Sequence, residues 1–152
     1  LALRFDDLFK DYDYVVGPSA SCVAFVKLNH PDILKHEGHV CQSAGKIYDL
    51  CEFIHDVVKP SGLKARFPHK DIEVFEPSHP DECCGFGGMF AVEEQAVSVC
   101  MAQDKIRHHM ETGAEYITGA DSSCLMHMQG VIDREHLPIK TIHIVEILAS
   151  QL

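Results

Sequence analysis

Three cysteines in the second half of the chain have the types and spacing of metal or cluster ligands. Cys83 and Cys84 are adjacent and stand directly before the glycine-rich run GFGG, and Cys124 follows 40 residues after Cys84. Adjacent cysteines rarely bond to each other because the backbone strain is severe. Their thiolates could bind zinc or an iron–sulfur cluster, or the thiols could be small core residues. The glycines favour a bound group over packing, since they let the backbone fold tightly, and they leave zinc and iron–sulfur equally open.

Two matching segments of the chain predict the elements that position these thiols. Residues 13–25, DYVVGPSASCVAF, align without a gap with residues 115–127, EYITGADSSCLMH, at an offset of 102 residues. Each segment begins with β-prone residues, turns at a glycine and enters a helical pattern through a Ser/Asp-rich cap. The repeat therefore predicts that Cys22 and Cys124 each lie in the first turn of a helix that follows a strand.

The wider pattern of strands and helices predicts an α/β fold with a mostly parallel sheet, flanking helices and duplicated β-loop-α cysteine units. Side chains that follow parallel strands gather at the carboxyl ends of the strands. Cys83 and Cys84 are thus expected to meet Cys124 at one rim. The predicted strands are Tyr14–Val16, Ile72–Phe75, Tyr116–Thr118 and Lys140–Ile142, and the predicted helices are 20–36, Gln42–Val58, Met89–Met110, Ser122–Glu135 and Ile144–Gln151.

The composition excludes several classes of function. A chain of 152 residues with 46% hydrophobic and 24% charged residues is typical of a globular domain with a substantial core. The net charge of −10 argues against nucleic acid as a partner, because phosphate binding needs a concentrated basic face. No apolar run approaches the ~20 residues of a transmembrane segment. Seven cysteines without the spacing of a secreted disulfide framework predict a cytoplasmic protein.

Three segments resemble the CCG cysteine-rich domain that occurs in heterodisulfide reductases and in the iron–sulfur subunits of glycolate oxidases. They are DECCGFGGMF at 81–90, GPSASCVAF at 17–25 and GADSSCLMHMQG at 119–130. They are most similar to the lactate-utilization protein A group, and the likeness covers nearly the whole chain. The resemblance implies an iron–sulfur electron-transfer subunit of an oxidoreductase complex. It would act with other subunits in the oxidation of a 2-hydroxy acid such as L-lactate or glycolate.

The resemblance also implies the ligands of a [4Fe-4S] type cluster. The cluster-binding residues would be Cys83, Cys84, Cys124 and Cys22. His127 stands where family members can have a second cysteine, so the metal ligands of the second repeat would be Cys83, Cys84, Cys124 and His127. Cys22 would belong to a first-repeat site whose cysteine pair is absent from this chain. Residues 1–152 would thus be a fragment of a CCG-type domain, with its second repeat at about 71–152.

One departure from the family pattern favours a different function. Family members usually carry a Cys-His segment before the Cys-Cys-Gly pair, but here no cysteine lies between Cys51 and Cys83. Either a ligand has been lost or residues are missing between Lys70 and Asp71, just as residues are expected to be missing before Leu1. The alternative function is a non-catalytic structural or assembly module stabilised by zinc or thiols. The remaining cysteines, Cys41, Cys51 and Cys100, are predicted to pack in the core.

Overall fold

The computed structural model describes residues 1–60 and 72–150, which fall into two compact units, Leu1–Gly62 and Leu63–Leu152. None of the helices among these residues is long and apolar enough to cross a membrane. The elements are α1 (Ala2–Phe9), β1 (Val15–Gly17), α2 (Ala20–His36), a 3-10 turn (Ala44–Lys46), β2 (Ile47–Asp49), α3 (Leu50–Phe53), a π-helical turn (Ile54–Val58), α4 (Phe90–Glu93), α5 (Gln95–Met110), β3 (Tyr116–Gly119), α6 (Ser122–Glu135), β4 (Lys140–His143) and α7 (Ile144–Ala149).

The first unit is a strand–helix–strand arrangement around a small core. Strands β1 and β2 are parallel, with Val15 beside Ile47 and Gly17 beside Asp49. Helix α2 connects them, as parallel neighbours require a crossover. The core consists of Val23, Val26 and Ile47, with Phe5 and Val15 packed against it.

The second unit repeats this arrangement with a larger core. Strands β3 and β4 are parallel, with Tyr116 beside Lys140 and Gly119 beside His143, and α6 connects them. Helix α5 packs on the same core through residues four apart, Ala102 and Ile106, which is the spacing of one helix face. The other buried members are Cys84, Ile117, Leu125, Met128, Val131, Ile132 and Ile139.

The structure confirms the α/β class and the repeat of strand, glycine and cysteine-bearing helix. Helices α2 and α6 begin at equivalent positions, 102 residues apart, and Cys22 and Cys124 are the third residues of these helices. The equivalence continues beyond the matched segments. At the end of β2, Asp49 forms a capping box with Glu52, and at the end of β4 a histidine forms the same box with the glutamate three residues later.

The predicted strand at Ile72–Phe75 is wrong. Residues 72–75 have no regular structure and are exposed, with Val74 85% accessible. Its β-branched and aromatic residues have strand propensity, but a strand also needs a backbone partner. Among the described residues, both parallel pairs are formed without this segment. Cys83 and Cys84 therefore follow an irregular segment and not a strand.

The predicted helix at Gln42–Val58 is also wrong, because it contains β2. The apolar residues Ile47 and Tyr48 pair with β1, a contact that helix periodicity cannot reveal. The predicted helix at Met89–Met110 is divided at Glu94, where φ is −116° and ψ is 46°. The helices predicted at 20–36 and Ser122–Glu135 are confirmed, whereas α1 had no sequence prediction.

A buried carboxylate fastens α1 to the segment before β2. Asp6 is 5% exposed, and its Oδ1 accepts hydrogen bonds from the Gln42 and Ser43 amides at 2.8 Å each and from Ser43 Oγ at 2.7 Å. The Cys41 thiol donates to the same oxygen at 3.4 Å. Burial by itself raises the pKa of Asp6, but these hydrogen bonds together outweigh it, and the pKa is lowered from 3.8.

We expect Asp6→Ala to lower the free energy of unfolding of the first unit by about 2–4 kcal/mol, because it leaves the buried amide and hydroxyl of Ser43 without an acceptor. Asp7→Ala is the control: its exposed side chain pairs with Lys10 at 3.2 Å, and its loss should change stability by less than about 1 kcal/mol. Since the folded-state pKa of Asp6 is depressed, its pH-linked contribution is present above 3.8 and is lost as the pH falls through the lower folded value. Urea unfolding at neutral and acidic pH measures both effects, and an equal loss in the two variants would contradict the role of Asp6.

Candidate metal centre

The structure brings two of the predicted cysteines into direct contact. The Sγ atoms of Cys84 and Cys124 are 2.8 Å apart, although 40 residues separate them along the chain. Cys84 is 3% exposed and belongs to the core of the second unit, and Cys124 is half-buried in the first turn of α6. Asp121 caps this helix by accepting from the Cys124 amide at 3.3 Å, so the backbone that carries this thiol is fixed.

The third cysteine lies beside this pair and faces solvent. Cys83 is exposed, and its Sγ accepts a hydrogen bond from the Gly85 amide at 3.4 Å. Burial, the hydrogen bond to Cys84 and the charges of Cys84, Asp121 and Cys83 raise the pKa of Cys124 to about 12. A thiolate at Cys124 would therefore be stabilised by a nearby positive charge, and a metal ion supplies one.

Across residues 1–60 and 72–150, no group of three or more Cys, His, Asp or Glu side chains has the arrangement of a metal site. Two thiols are in contact, and the exposed thiol of Cys83 has to turn toward them before all three can share one ion or cluster. The donor chemistry nevertheless suits a soft metal, because all three are sulfur ligands. The residues thus fit a thiolate-bound group once Cys83 has moved.

Gly85 explains how the cysteine loop approaches α5 so closely. Its φ is +84°, and a Cβ there would lie 2.5 Å from the Ser98 carbonyl oxygen and 2.9 Å from Met101 Cβ. Only glycine satisfies both the left-handed backbone and the short approach. Gly87 also has a positive φ, +51°. The glycine-rich run is therefore required for the tight turn that seats Cys84 in the core.

Helix α5 also contacts Glu82, the residue directly before Cys83, on the N-terminal side of the cysteine pair. Lys105 Nζ donates to the Glu82 carbonyl oxygen at 2.7 Å, and His108 Nδ1 lies 2.8 Å from Glu82 Oε2. The His79 ring stacks on His108 with centroids 4.6 Å apart. As a sequence pattern, Lys105 and His108 are explained by the basic end of a helix alone. Their spacing of three residues, which places both on one helix face, was the available signal.

His127 lies one turn after Cys124 and is held by α5. Its Nε2 is 3.1 Å from Ser98 Oγ and 3.3 Å from the Ser98 carbonyl oxygen, and its ring centroid is 5.9 Å from that of Phe86. A carbonyl oxygen only accepts, so this contact favours the proton on Nε2 and leaves a lone pair on Nδ1. A ring nitrogen that donates to a carbonyl while the other stays free is the arrangement found in metal-binding histidines.

The other cysteines differ in their surroundings. Cys22 is exposed at the start of α2, with Phe25 at the position equivalent to His127. Cys41 and Cys51 are half-buried, and burial together with the charge of Asp49 raises the pKa of Cys51. The prediction that Cys100 packs in the core is wrong. It is exposed, because it lies two residues from both Ser98 and Ala102, on the opposite side of α5 from the buried face.

This chain is similar to known proteins over the region of the cysteines and over most of its length. The cysteine-rich domain family CCG matches residues 63–129, which include all three clustered cysteines and His127. Lactate utilization protein A of Lysinibacillus sphaericus (strain C3-41) is 35% identical over 176 residues, covering 95% of this chain and 77% of that protein. The proteins of the same name from Oceanobacillus iheyensis and Bacillus thuringiensis (strain Al Hakam) are 33% and 32% identical, covering 92% and 95% of this chain and 70% and 73% of their own lengths. No solved structure matches the chain.

These matches confirm the resemblance drawn from the cysteine segments. The alignment with the Lysinibacillus protein extends over 176 residues, more than the 152 of this chain, so that relative has residues within the matched span that this chain lacks. The predicted break between Lys70 and Asp71 lies outside the described residues.

Proposed function

Because this chain belongs to the lactate utilization protein A family, we propose that it is an iron–sulfur electron-transfer subunit in the oxidation of a 2-hydroxy acid such as L-lactate or glycolate. The observation that carries the proposal is the contact between Cys84 and Cys124 with Cys83 beside them. Such thiolates are the ligands that iron–sulfur clusters require. A bound [4Fe-4S] cluster would supply one-electron transfer.

The proposed ligands are the three thiolates of Cys83, Cys84 and Cys124, with His127 Nδ1 as the fourth donor. Burial, the hydrogen bond to Cys84 and the nearby negative charges raise the pKa of Cys124, so a bound cation would stabilise a thiolate at this position. We also propose that Cys22 binds in a first-repeat site, since it occupies the position equivalent to Cys124. Seven free cysteines suit a reducing compartment, and we place the protein in the cytoplasm.

The protein around these ligands is arranged to limit movement during electron transfer. Gly85 and Glu82 fix both ends of the cysteine pair on α5, and the cap at Asp121 fixes Cys124. The burial of Cys84 keeps water from one side of the site. The chain contains neither a flavin nor a nicotinamide motif, so we propose that other subunits of a lactate or glycolate oxidation complex deliver and accept the electrons.

A zinc- or thiol-stabilised assembly module is the second candidate function. The observation that favours it is the donor set: two thiols are in contact, an exposed third thiol lies beside them, and the fourth candidate is an imidazole. Three cysteines and one histidine form a common structural zinc set. A structural site would hold the cysteine loop to α6 without any change of oxidation state.

The two functions are separated by isolating the complex anaerobically through a tag on this chain. We expect a coloured complex whose visible absorption bleaches on addition of L-lactate or glycolate and returns with an oxidant. Acetate, which lacks the hydroxyl group, is the control and should leave the spectrum unchanged. A colourless chain that contains one zinc ion per protein would contradict the electron-transfer function and support the structural module.

We expect His127→Ala to lower the metal affinity of the site by about tenfold or more, because it removes a proposed ligand and its link to Ser98. The fold should persist, because the main cost of the substitution is that the buried Ser98 hydroxyl loses one hydrogen-bond partner. His136→Asn is the matched control: it is exposed at the end of the same helix, and asparagine tolerates its φ of 55°. Titration with Co²⁺, followed by its thiolate absorption, measures both variants; equal affinities would exclude His127 as a ligand.

A further inference from the structure

Cys84 and Cys124 are placed where they can also bond to each other. Their Sγ atoms are 2.8 Å apart, and a disulfide has a sulfur separation of ~2.05 Å, so the sulfurs need to approach by only about 0.8 Å. Both side chains lie on fixed backbone: Gly85 seats Cys84 against α5, and Asp121 caps the helix that carries Cys124. The backbone that carries the two sulfur atoms is therefore held in place on both sides of their contact.

We propose that Cys84 and Cys124 form a reversible disulfide when no metal is bound. This inference rests on the proposed function, because it assigns a second state to two of the ligands proposed above. A sulfur atom in a disulfide carries no thiolate charge and is a poor metal ligand. Oxidation would therefore prevent the site from being loaded, and reduction would restore it.

The oxidant we propose is a low-molecular-weight disulfide of the glutathione type. Cys124, the more accessible of the two, loses its proton, and its thiolate attacks one sulfur of that disulfide, which forms a mixed disulfide and releases one small thiol that takes up the proton. The raised pKa of Cys124 makes this step slow, so the test is run to equilibrium. The sulfur of Cys84 then attacks the Sγ of Cys124 and releases the second small thiol with the second proton. Two electrons pass from the protein thiols to the small disulfide, which is reduced to two thiols.

The geometry selects Cys84 over its neighbour Cys83. Cys83 is exposed and accepts a hydrogen bond from the Gly85 amide, whereas Cys84 is buried against Cys124. A bond between Cys83 and Cys84 themselves would strain the backbone. The exposed thiol should instead form a mixed disulfide with the small molecule.

The test uses the full chain after chelation and reduction, incubated to equilibrium in glutathione buffers of increasing oxidation. Remaining thiols are alkylated and the protein is digested without reductant; trypsin separates the two cysteines because Lys105 and Arg107 lie between them. We expect a cross-linked peptide that joins residues 83–84 to residue 124, that increases with oxidised glutathione and disappears with dithiothreitol. Absence of this peptide at every buffer ratio would overturn the proposal.

Two variants identify the bond. Cys83→Ser should keep the cross-link, and Cys84→Ser should lose it, with circular dichroism showing that both are folded. A cross-link of wild-type abundance in Cys84→Ser would contradict the assignment, because Cys83 would then be an equal partner. Iron and sulfide reconstitution is measured separately: a cross-linking chain that binds no iron contradicts the proposed function alone, and an iron-binding chain that never cross-links contradicts this inference alone.

Discussion

Replacement of Cys84 by serine should lower the iron content of the protein by about tenfold or more while the chain remains folded. A serine hydroxyl keeps its proton near neutral pH, so it does not replace a thiolate in a sulfur-ligated site. The side chain is 3% exposed and lies against Cys124, and a buried hydroxyl there should cost about 1–2 kcal/mol of stability. Iron and acid-labile sulfide per chain, with urea unfolding of the same samples, measure the two effects.

Cys100→Ser is the matched control for this substitution. Cys100 is exposed on α5, away from the clustered thiols, so both iron content and stability should equal those of the wild type. If Cys84→Ser retained as much iron as Cys100→Ser, the Cys-Cys-Gly pair would not be a ligand set.

Gly85→Ala should be the most damaging substitution in the cysteine loop, with a loss of about 2–4 kcal/mol in the free energy of unfolding of the second unit. The new Cβ would lie 2.5 Å from the Ser98 carbonyl oxygen in a residue whose φ is +84°. The loop has to move away from α5 to relieve this clash, and Cys84 moves with it. Metal binding should therefore fall together with stability.

Gly88→Ala separates the clash from the backbone strain. Gly88 also has a positive φ, +62°, but a Cβ there would meet no atom within 4 Å. The Gly88→Ala variant should lose about 1–2 kcal/mol in the free energy of unfolding, which is the strain of one left-handed residue alone. It should retain metal binding. Equal urea midpoints for the two variants would contradict the close approach of Gly85 to Ser98.

The repeat was predictable from the sequence because its signals are local. A glycine, a capping residue and the first helical turn lie within a few positions of each other, and they placed Cys22 and Cys124 correctly. Strand β2 was not predictable in this way, because its three residues form a strand only beside β1, about 30 residues earlier. The strand prediction at 72–75 was wrong for the opposite reason, since this exposed segment has strand-forming residues but is in neither parallel pair.

The sequence pointed to the cysteines of the candidate site but not to the α5 residues that hold the cysteine loop in place. Cys84 and Cys124 were expected to meet because each was predicted to follow a strand, and the structure does bring them into contact although residues 72–75 form no strand. The contacts of Ser98 and Lys105 with the cysteine loop depend on how α5 packs, and the local pattern shows only that Lys105 and His108 share one face of this helix. The exposure of Cys100 could have been read from the spacing of Ser98, Ala102 and Ile106, which defines the buried face.

The most direct test is the metal content of the protein purified without oxygen. Iron, acid-labile sulfide and zinc are measured per chain in the wild type and in the Cys124→Ser variant, with Cys100→Ser as the control. We expect iron and sulfide in near-equal amounts in the wild type and the control, and their loss in Cys124→Ser. Stoichiometric zinc with neither iron nor sulfide in the wild type, or full iron in Cys124→Ser, would contradict the proposed iron–sulfur site.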